Sequence, residues 1–430
     1  MYSIGILGLG VVGLVNLCCF AEMGFSVIGF DVTEKIKKIK NDNLYVYEPR
    51  LRELLNKNKF KINFTDSADS IIQSCNILII CVGTPSGKDG RTDLSQVEEI
   101  ADLIGSHINS YKLIIQKSTV PAGTTNRIIK SRIEQKNHDC SYDLVMSPEF
   151  LREGQGINDF FNPDRIIWGT ENINTYKTAK ILYAEHTDKI VCCSIEAAEV
   201  IKQASNFFLA MKISYINLMS DLCEAVNADI NDVAKGICLD KRIGDQFMQS
   251  GIGFGGSCLL KDSQSIKWLL KDENINTSLV DSVLDINEKR IDKLIEILLS
   301  KQLINKFSNV TVFGITFKED TNDCRESQVL RLVLKLSEMT KHVRCYDYNM
   351  SSIDTEKYKR NNITFSTDAY QSAENSDLLI LGHGGASLKG FDLMKIAKMM
   401  KRLQIFDCMN KGNFQRPQGF SYYSFGGIFR

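Results

Sequence analysis

The chain has 430 residues, more than one hydrophobic core usually organises, so two or three domains are expected and a small disulfide-stapled scaffold is excluded. With 43% hydrophobic and 24% charged residues, and 52 basic residues against 52 acidic ones, nothing points to a nucleic-acid or membrane-surface partner. The 13 cysteines form no CxxC and no His/Cys cluster at zinc spacing, so no metal site is expected and most are read as small core residues in a reducing cytoplasm.

The opening "MYSIGILGLGVVGLVNLCCFAEMGF" is apolar but glycine-rich, lacks a positively charged leader and is interrupted by Glu22. It reads as a buried strand and helix rather than a signal or a membrane span. Up to residue 170, β-rich runs ("SIGILGL", "SVIGFDV", "NILIICV", "KLIIQKS", "YDLVMSP", "RIIWG") alternate with helical patterns. That alternation predicts an α/β domain with a doubly wound parallel sheet.

Gly8-Leu9-Gly10-Val11-Val12-Gly13 matches G-x-G-x-x-G between a strand and a helix, and Asp31 ends the next strand 18 residues beyond Gly13. The glycines allow a tight turn and let backbone N–H groups approach a pyrophosphate at the helix N-terminus. Asp31 would accept hydrogen bonds from a ribose diol and repel a 2′-phosphate, which favours NAD over NADP in a Rossmann-type domain.

"VGTPSGKDGRTD", with Thr84 and Pro85, and "KSTVPAGTT", with Thr119, follow strands at their carboxyl ends, where open α/β sheets bind ligands. Ordinary turn chemistry would also account for these residues. In "SPEFLREGQGINDFFNPDRIIWG", Glu149 and Glu153 stand four apart, so one helical turn would bring both carboxylates to one side. They are either a solvated acidic pair beside Arg152 or groups that act as a base and position water.

No proline occurs between Pro163 and Pro417, and from Glu196 the apolar residues Val200, Ala204, Phe207, Met211, Tyr215, Leu218 and Leu222 keep a helical rhythm. One long helix is expected there, a spine between domains or a subunit interface, with further helices to about residue 300. Lys202 and Asn206 lie one turn apart on it; if their face lines a cleft, they become donors to developing negative charge.

"GIGFGGSCLLKD" packs Gly251, Gly253, Gly255 and Gly256 directly before Cys258, Lys261 and Asp262. Because "DSQSIKWLL" continues as a helix, Cys258 falls near a helix N-terminus beside a lysine, where thiolates are stabilised. An inert, buried cysteine is the alternative. None of the five histidines (His107, His138, His186, His342, His383) belongs to these motifs, so acid–base duty would pass to Lys, Asp or Glu. From Asn309 ("NVTVFGITF", "HVRCYDY", "DLLILG", "LQIFD") the alternation resumes and predicts a second, smaller nucleotide-type domain. The aromatic tail "GFSYYSFGGIFR" shows no period, and no element is assigned to it.

Together, the Gly8 to Gly13 loop, "GTP", "STVPAGTT", "SPEFLREG", "KQASNFFLAMKISYIN", "DKRIG", "GFGGSCLLKD" and "GITFKEDTNDCRES" resemble, in order and spacing, the UDP-glucose/GDP-mannose dehydrogenase family from the first strand to about residue 410. "SPEFLREG" and "DKRIG" are most similar to its UDP-glucose-oxidising branch. The resemblance implies an NAD-binding region at 1–195, a central helical dimerisation region with the cysteine loop at 196–300, and a UDP-sugar-binding region at 301–430. It further implies a cytoplasmic homo-oligomer that oxidises a sugar C6 alcohol to a carboxylate with two NAD.

By the same resemblance, Cys258 would carry a thiohemiacetal and then a thioester, Lys202 and Asn206 would stabilise the oxyanion, and Asp262 with Thr119 would manage a water and its proton. Glu149 would assist hydrolysis, flanked by Phe150 and Leu151 in the sugar site, with Glu153 on the nicotinamide side. Lys318, Gly251, Phe254, Gly255 and Gly256 would hold the UDP-sugar, Arg325 would reach the cofactor, and Arg242 would enter a neighbouring subunit's site. Departures from the family pattern include Leu260, Leu218 and Gln328, Met409 in "DCMN" where Asp-Gly-Arg-Asn is usual, and "LGHGGASLKGF", which lacks Thr-Glu-Trp. GDP-mannose or another UDP-hexose as substrate, a two-electron dehydrogenase, and a non-catalytic sugar-nucleotide-binding regulator stay open as alternatives.

Overall fold

A computed structural model describes residues 2–87, 89–137, 139–383, 391–410 and 419–427. Residues 384–390 of "LGHGGASLKGF", and His138, lie outside these. The chain divides into two compact units, Met1–Ser205 with Gln264–Asn274, and Asn206–Ser263 with Ile275–Arg430.

The first unit is built on eight strands: β1 (Ser3–Leu7), β2 (Ser26–Phe30), β3 (Ile62–Thr65), β4 (Ile77–Ile80), β5 (Lys112–Gln116), β6 (Tyr142–Met146), β7 (Ile166–Thr170) and β8 (Ile190–Cys193). Their order in the sheet is β3-β2-β1-β4-β5-β6-β7-β8, and the two halves diverge between β1 and β4. The expected doubly wound parallel sheet is present, with one exception: β6 and β7 run antiparallel. Two short strands escaped the sequence pattern. "INFT" (β3) carries two polar residues in four, and "IVCC" (β8) is a four-residue edge strand. The central strand β4, "ILII", is buried throughout, as a strand covered by helices on both faces must be. Apolar clusters pack on the two faces, one around Ile4, Phe20 and Trp168, the other around Leu78, Ile104 and Ile133.

The second unit holds β9 (Asn309–Phe313), β10 (His342–Tyr346), β11 (Ile363–Ser366), β12 (Leu378–Leu381), β13 (Gln404–Asp407) and β14 (Ser421–Ser424), ordered β11-β10-β9-β12-β13-β14. All its pairings are parallel. The tail left unassigned from sequence therefore supplies the edge strand β14. The first five strands of each unit share one order, and their registers correspond. Leu7 lies opposite Phe30 and Ile80, while Phe313 lies opposite Tyr346 and Leu381. Gly8, Asp31 and Cys81 thus leave one sheet where Gly314, Asp347 and Gly382 leave the other.

The long helix is Ile195–Val226, and the helices Ile230–Cys238, Leu259–Asp272 and Ser278–Ser300 follow it. Its expected apolar row is mostly exposed, although Phe207 and Met211 pack against the cluster around Phe254. Val200, Tyr215, Leu218 and Leu222 are 45–54% exposed, and Phe208 and Val226 join them, while Lys202, Gln203, Asn206, Ser214, Asn217 and Ser220 are buried. Among the described residues no helix is long and apolar enough to cross a membrane.

Candidate active site

The glycine loop of the first unit is set by contacts that exclude side chains. Gly8 adopts φ +99°, and a Cβ there would lie 2.8 Å from the Val82 nitrogen; a Cβ on Gly13 would lie 1.9 Å from the Gly8 carbonyl oxygen. Gly10 differs, because its Cβ would meet nothing within 4 Å. The helix Val11–Glu22 begins there with no side-chain cap and no acidic residue in its first turn. An open space over free N–H groups at a helix start is the chemistry a pyrophosphate needs. Asp31 is buried and accepts from the N–H of Leu9 and of Val32, both at 2.8 Å, and from Lys35 Nζ at 2.9 Å. It therefore ties the loop to the end of β2. The residues fit NAD.

After β4, Thr84 is buried and donates its hydroxyl to the Thr119 carbonyl at 2.9 Å, joining the loops that follow β4 and β5; Pro85 is exposed. The Thr119 loop is held by Glu199, which sequence reading missed. This fully buried carboxylate accepts from the N–H of Gly123 at 2.5 Å and of Thr125 at 2.8 Å. Burial pushes its carboxyl above the usual range although those two bonds oppose the shift.

Glu149 and Glu153 do not share a helical turn, because the chain is irregular there and the helix starts only at Gly156. Glu149 instead accepts from the Leu151 N–H at 2.6 Å and pairs with Lys202 Nζ at 3.2 Å. Both side chains are about nine-tenths buried, with 5% of Lys202 and 10% of Glu149 exposed. The Lys202 ammonium also lies 5.1 Å from the Phe150 ring centroid, and Arg165 stacks on that ring at 3.8 Å. Arg152, adjacent to Glu153 in sequence, is engaged by Asp159. Buried Glu48, also missed, accepts from the Gly154 N–H at 2.9 Å and fixes this segment from the other side.

In the second unit Cys258 is exposed and its carbonyl accepts the Asp262 N–H at 3.0 Å, so the thiol stands at the N-terminus of the helix Leu259–Asp272. Its hydroxyl neighbour Ser257 lies 3.8 Å from the sulfur. Burial, by contrast, pushes the Cys18 and Cys81 thiols up to about 12, which makes them inert near neutral pH. Asp262, one turn beyond Cys258, is fully buried. It accepts from Asn206 Nδ2 at 2.6 Å and pairs with Lys261 Nζ at 2.8 Å.

The glycines before Cys258 are required by protein, not by open space. A Cβ on Gly255 would lie 2.3 Å from the Glu326 carbonyl oxygen, and one on Gly256 would lie 2.6 Å from the Phe317 ring. Gly253 has φ +103°, with Asn287 Oδ1 2.4 Å from where its Cβ would be. Asn287 accepts the Phe254 N–H at 2.7 Å and donates to its carbonyl at 3.0 Å, while the Phe254 side chain packs in a core with Ala210 and Val283. The Gly251 N–H donates to Asn217 Oδ1 at 2.8 Å. The loop is therefore clamped against its own unit, which fixes the backbone that leads into Cys258.

Beside the loop lies a cavity of about 280 Å³, lined by Gly253, Gly255, Phe317, Lys318, His383 and Met409 among others. His383 Nε2 is 2.8 Å from Thr316 Oγ1 and 3.6 Å from Asp347 Oδ2. Asp347 accepts the Ile315 N–H at 2.9 Å, as Asp31 accepts that of Leu9. Burial raises the Asp347 carboxyl, yet His383 and the N–H groups of Asn349 and Ile315 outweigh it and hold the group below its usual value. Arg325 and Arg242 are exposed and each folds back on an aspartate two residues before it, Asp323 and Asp240.

A dinucleotide loop in the first unit, and a helix-terminal cysteine beside a cavity in the second, point to an oxidoreductase of the dinucleotide-dependent class. The UDP-glucose/GDP-mannose dehydrogenase family matches along nearly the whole chain, by its NAD binding domain at residues 2–187, its central domain at 196–289 and its UDP binding domain at 311–412. The chain belongs to this family and is an NAD-dependent UDP-sugar dehydrogenase. It is 36% identical to a UDP-glucose 6-dehydrogenase of Bacillus subtilis (strain 168), over 99% of this chain and 93% of that one. Among solved structures, a UDP-glucose dehydrogenase from Pyrobaculum islandicum superimposes with a TM-score of 0.89 at 28% identity, covering 99% of this chain and 98% of that one. A UDP-D-ManNAc dehydrogenase from Pyrococcus horikoshii gives 0.84 at 25% identity, covering 99% of both chains.

Proposed function

We propose that the chain oxidises UDP-glucose at C6 to UDP-glucuronate, in the cytoplasm, with Cys258 as nucleophile and two NAD reduced per sugar. The reading is carried by the exposed thiol of Cys258 at a helix N-terminus, one turn from a buried aspartate held by Asn206 and Lys261. NAD, when bound at the Gly8 to Gly13 loop, supplies the hydride acceptor for both oxidations.

Asp262, with Thr119, takes the proton of the C6 alcohol through a water as the alcohol becomes an aldehyde. The Cys258 thiolate then adds to the aldehyde carbon, and Lys202 and Asn206 donate to the resulting oxyanion. Loss of the second hydride turns this thiohemiacetal into a thioester. Water adds to the thioester, the C–S bond breaks, the sulfur leaves as thiolate and the sugar leaves as a carboxylate. Glu149, fixed by Lys202 and the Leu151 N–H, orients that water. Covalent capture prevents escape of the aldehyde between the two oxidations, a need that a two-electron dehydrogenase lacks.

Residues 1–195, 196–300 and 301–430 serve as cofactor, dimerisation and UDP-sugar regions. Phe150, Leu151, Lys318 and the Gly251 to Gly256 loop hold the sugar nucleotide, while Glu153 and Arg325 act on the cofactor side. The exposed row Phe208, Tyr215, Leu218, Leu222 and Val226 supports a homodimer, whose partner site would receive Arg242. A second reading, another UDP-hexose as substrate, is favoured by Met409 and His383 in the cavity wall. A panel of UDP-glucose, UDP-N-acetylmannosamine and GDP-mannose decides: NADH formation from UDP-glucose at the highest kcat/KM supports the first reading. Turnover of either other sugar nucleotide without UDP-glucose turnover overturns it.

A further inference from the structure

Phe425, in the tail that the sequence left without a role, follows β14 directly and is fully buried. Its ring stands edge-on to Phe406 at 5.4 Å, and its carbonyl accepts Asn410 Nδ2 at 3.1 Å. The next carbonyl, that of Gly426, accepts the Ile230 N–H at 3.0 Å. The tail is thus fixed both to the sheet and to the start of the helix Ile230–Cys238.

Against the face of Phe425 lies Arg290, one of the largest fully buried side chains of the chain, with its guanidinium 4.2 Å from the ring centroid. Its Nη1 pairs with Asp221 Oδ1 at 2.5 Å and its Nε donates to the Gly251 carbonyl at 2.8 Å, while its Nη2 is buried with no hydrogen-bond acceptor among the described residues. A buried guanidinium needs a compensating negative surface on every side, and the face of an aromatic ring provides one where no oxygen does. Gly251 is the first residue of the loop that ends in Cys258. Asn217 takes its N–H, and the next N–H, that of Ile252, goes to the Cys408 carbonyl at 2.9 Å.

We propose that Phe425 and Arg290 are positioning residues for the dehydrogenation: stacked on each other, they fix the Gly251 carbonyl and thereby the placing of the Cys258 thiol. Without the ring the guanidinium would turn toward water and release Gly251. This inference rests on Cys258 being the nucleophile, so its test uses two independent readouts.

Phe425→Leu retains apolar volume and removes the aromatic face, whereas Phe425→Tyr retains the face. For each, kcat, KM for UDP-glucose and KM for NAD are measured together with the rate of iodoacetamide alkylation at Cys258, followed by peptide mass. Phe425→Leu is expected to lower kcat about tenfold with little change in KM for NAD, and to change the alkylation rate by about threefold or more. Phe425→Tyr should stay within about twofold of wild type. A lowered melting temperature with kcat and alkylation unchanged would reduce Phe425 to a packing residue and overturn the proposal. Should Phe425→Leu not fold, Arg290→Lys keeps a cation but cannot reach both Gly251 and Asp221, and the same losses are expected of it. The alkylation rate reports the loop whether or not a thioester forms; the activity of Cys258→Ser reports the nucleophile by itself.

Discussion

Lys202 and Glu149 form an ion pair of 3.2 Å in which both side chains are about nine-tenths buried, and the Leu151 N–H binds the second carboxylate oxygen at 2.6 Å. Breaking a buried pair from one side leaves an uncompensated charge, so Lys202→Met should cost about 3 kcal/mol of stability. In the proposed reaction it also removes an oxyanion donor, and kcat should fall on the order of 10²-fold or more. Urea unfolding and steady-state kinetics separate the two effects. Undiminished kcat in a destabilised variant would make the pair purely structural.

Asp31 holds the Leu9 N–H, and in the proposed reading it also presents negative charge where a 2′-phosphate would lie. Asp31→Asn should raise KM for NAD about tenfold and lower the NAD to NADP ratio of kcat/KM by a similar factor, since the loss is one hydrogen bond to a charged acceptor plus the repulsion. Kinetics with both cofactors check it. An unchanged ratio would contradict the assignment.

Asp347 carries a pH prediction. A carboxyl held below its ordinary value in the folded state contributes stability that is complete above the unfolded value and is lost as pH falls through the folded one. Asp347→Asn should therefore lower stability near neutral pH and flatten its decline below about pH 4. Denaturant midpoints across that range would show it. Parallel acid limbs in variant and wild type would rule this group out.

The row of exposed apolar residues on the long helix predicts a dimer sensitive to charge. Leu218→Glu with Leu222→Glu should yield monomers in sedimentation experiments, because both residues are about half exposed in the single chain. A wild-type monomer would contradict the dimer, and an intact double-mutant dimer would show that another surface is used.

The same helix shows how far the sequence could be read. A 3.6-residue apolar rhythm reports that one face is covered but not by what: Leu218 and Leu222 are exposed in the chain, while the buried face mixes Lys202, Asn206 and Asn217 with Ala198, Ala210 and Ile216. The glycine loop, Asp31 and Cys258 were legible because turn geometry and helix starts leave local signatures. Glu199, Asn217, Asn287 and Arg290 were not, since each satisfies backbone groups far away in sequence. Glu149 and Glu153 misled through their spacing: four residues imply a shared face only inside a helix, and that helix begins at Gly156. Asp347 did leave a signal, because "HVRCYDY" ends in the same way as "SVIGFDV".

The central claim, covalent four-electron oxidation at Cys258, is tested most directly by counting NADH released per UDP-glucose consumed, for wild type and Cys258→Ser, with the products identified by mass. Two NADH and a uronate from the wild type, with uronate formation reduced on the order of 10³-fold or more in the variant, is the expected result. One NADH with an aldehyde product, or a Cys258→Ser enzyme as active as wild type, would contradict it.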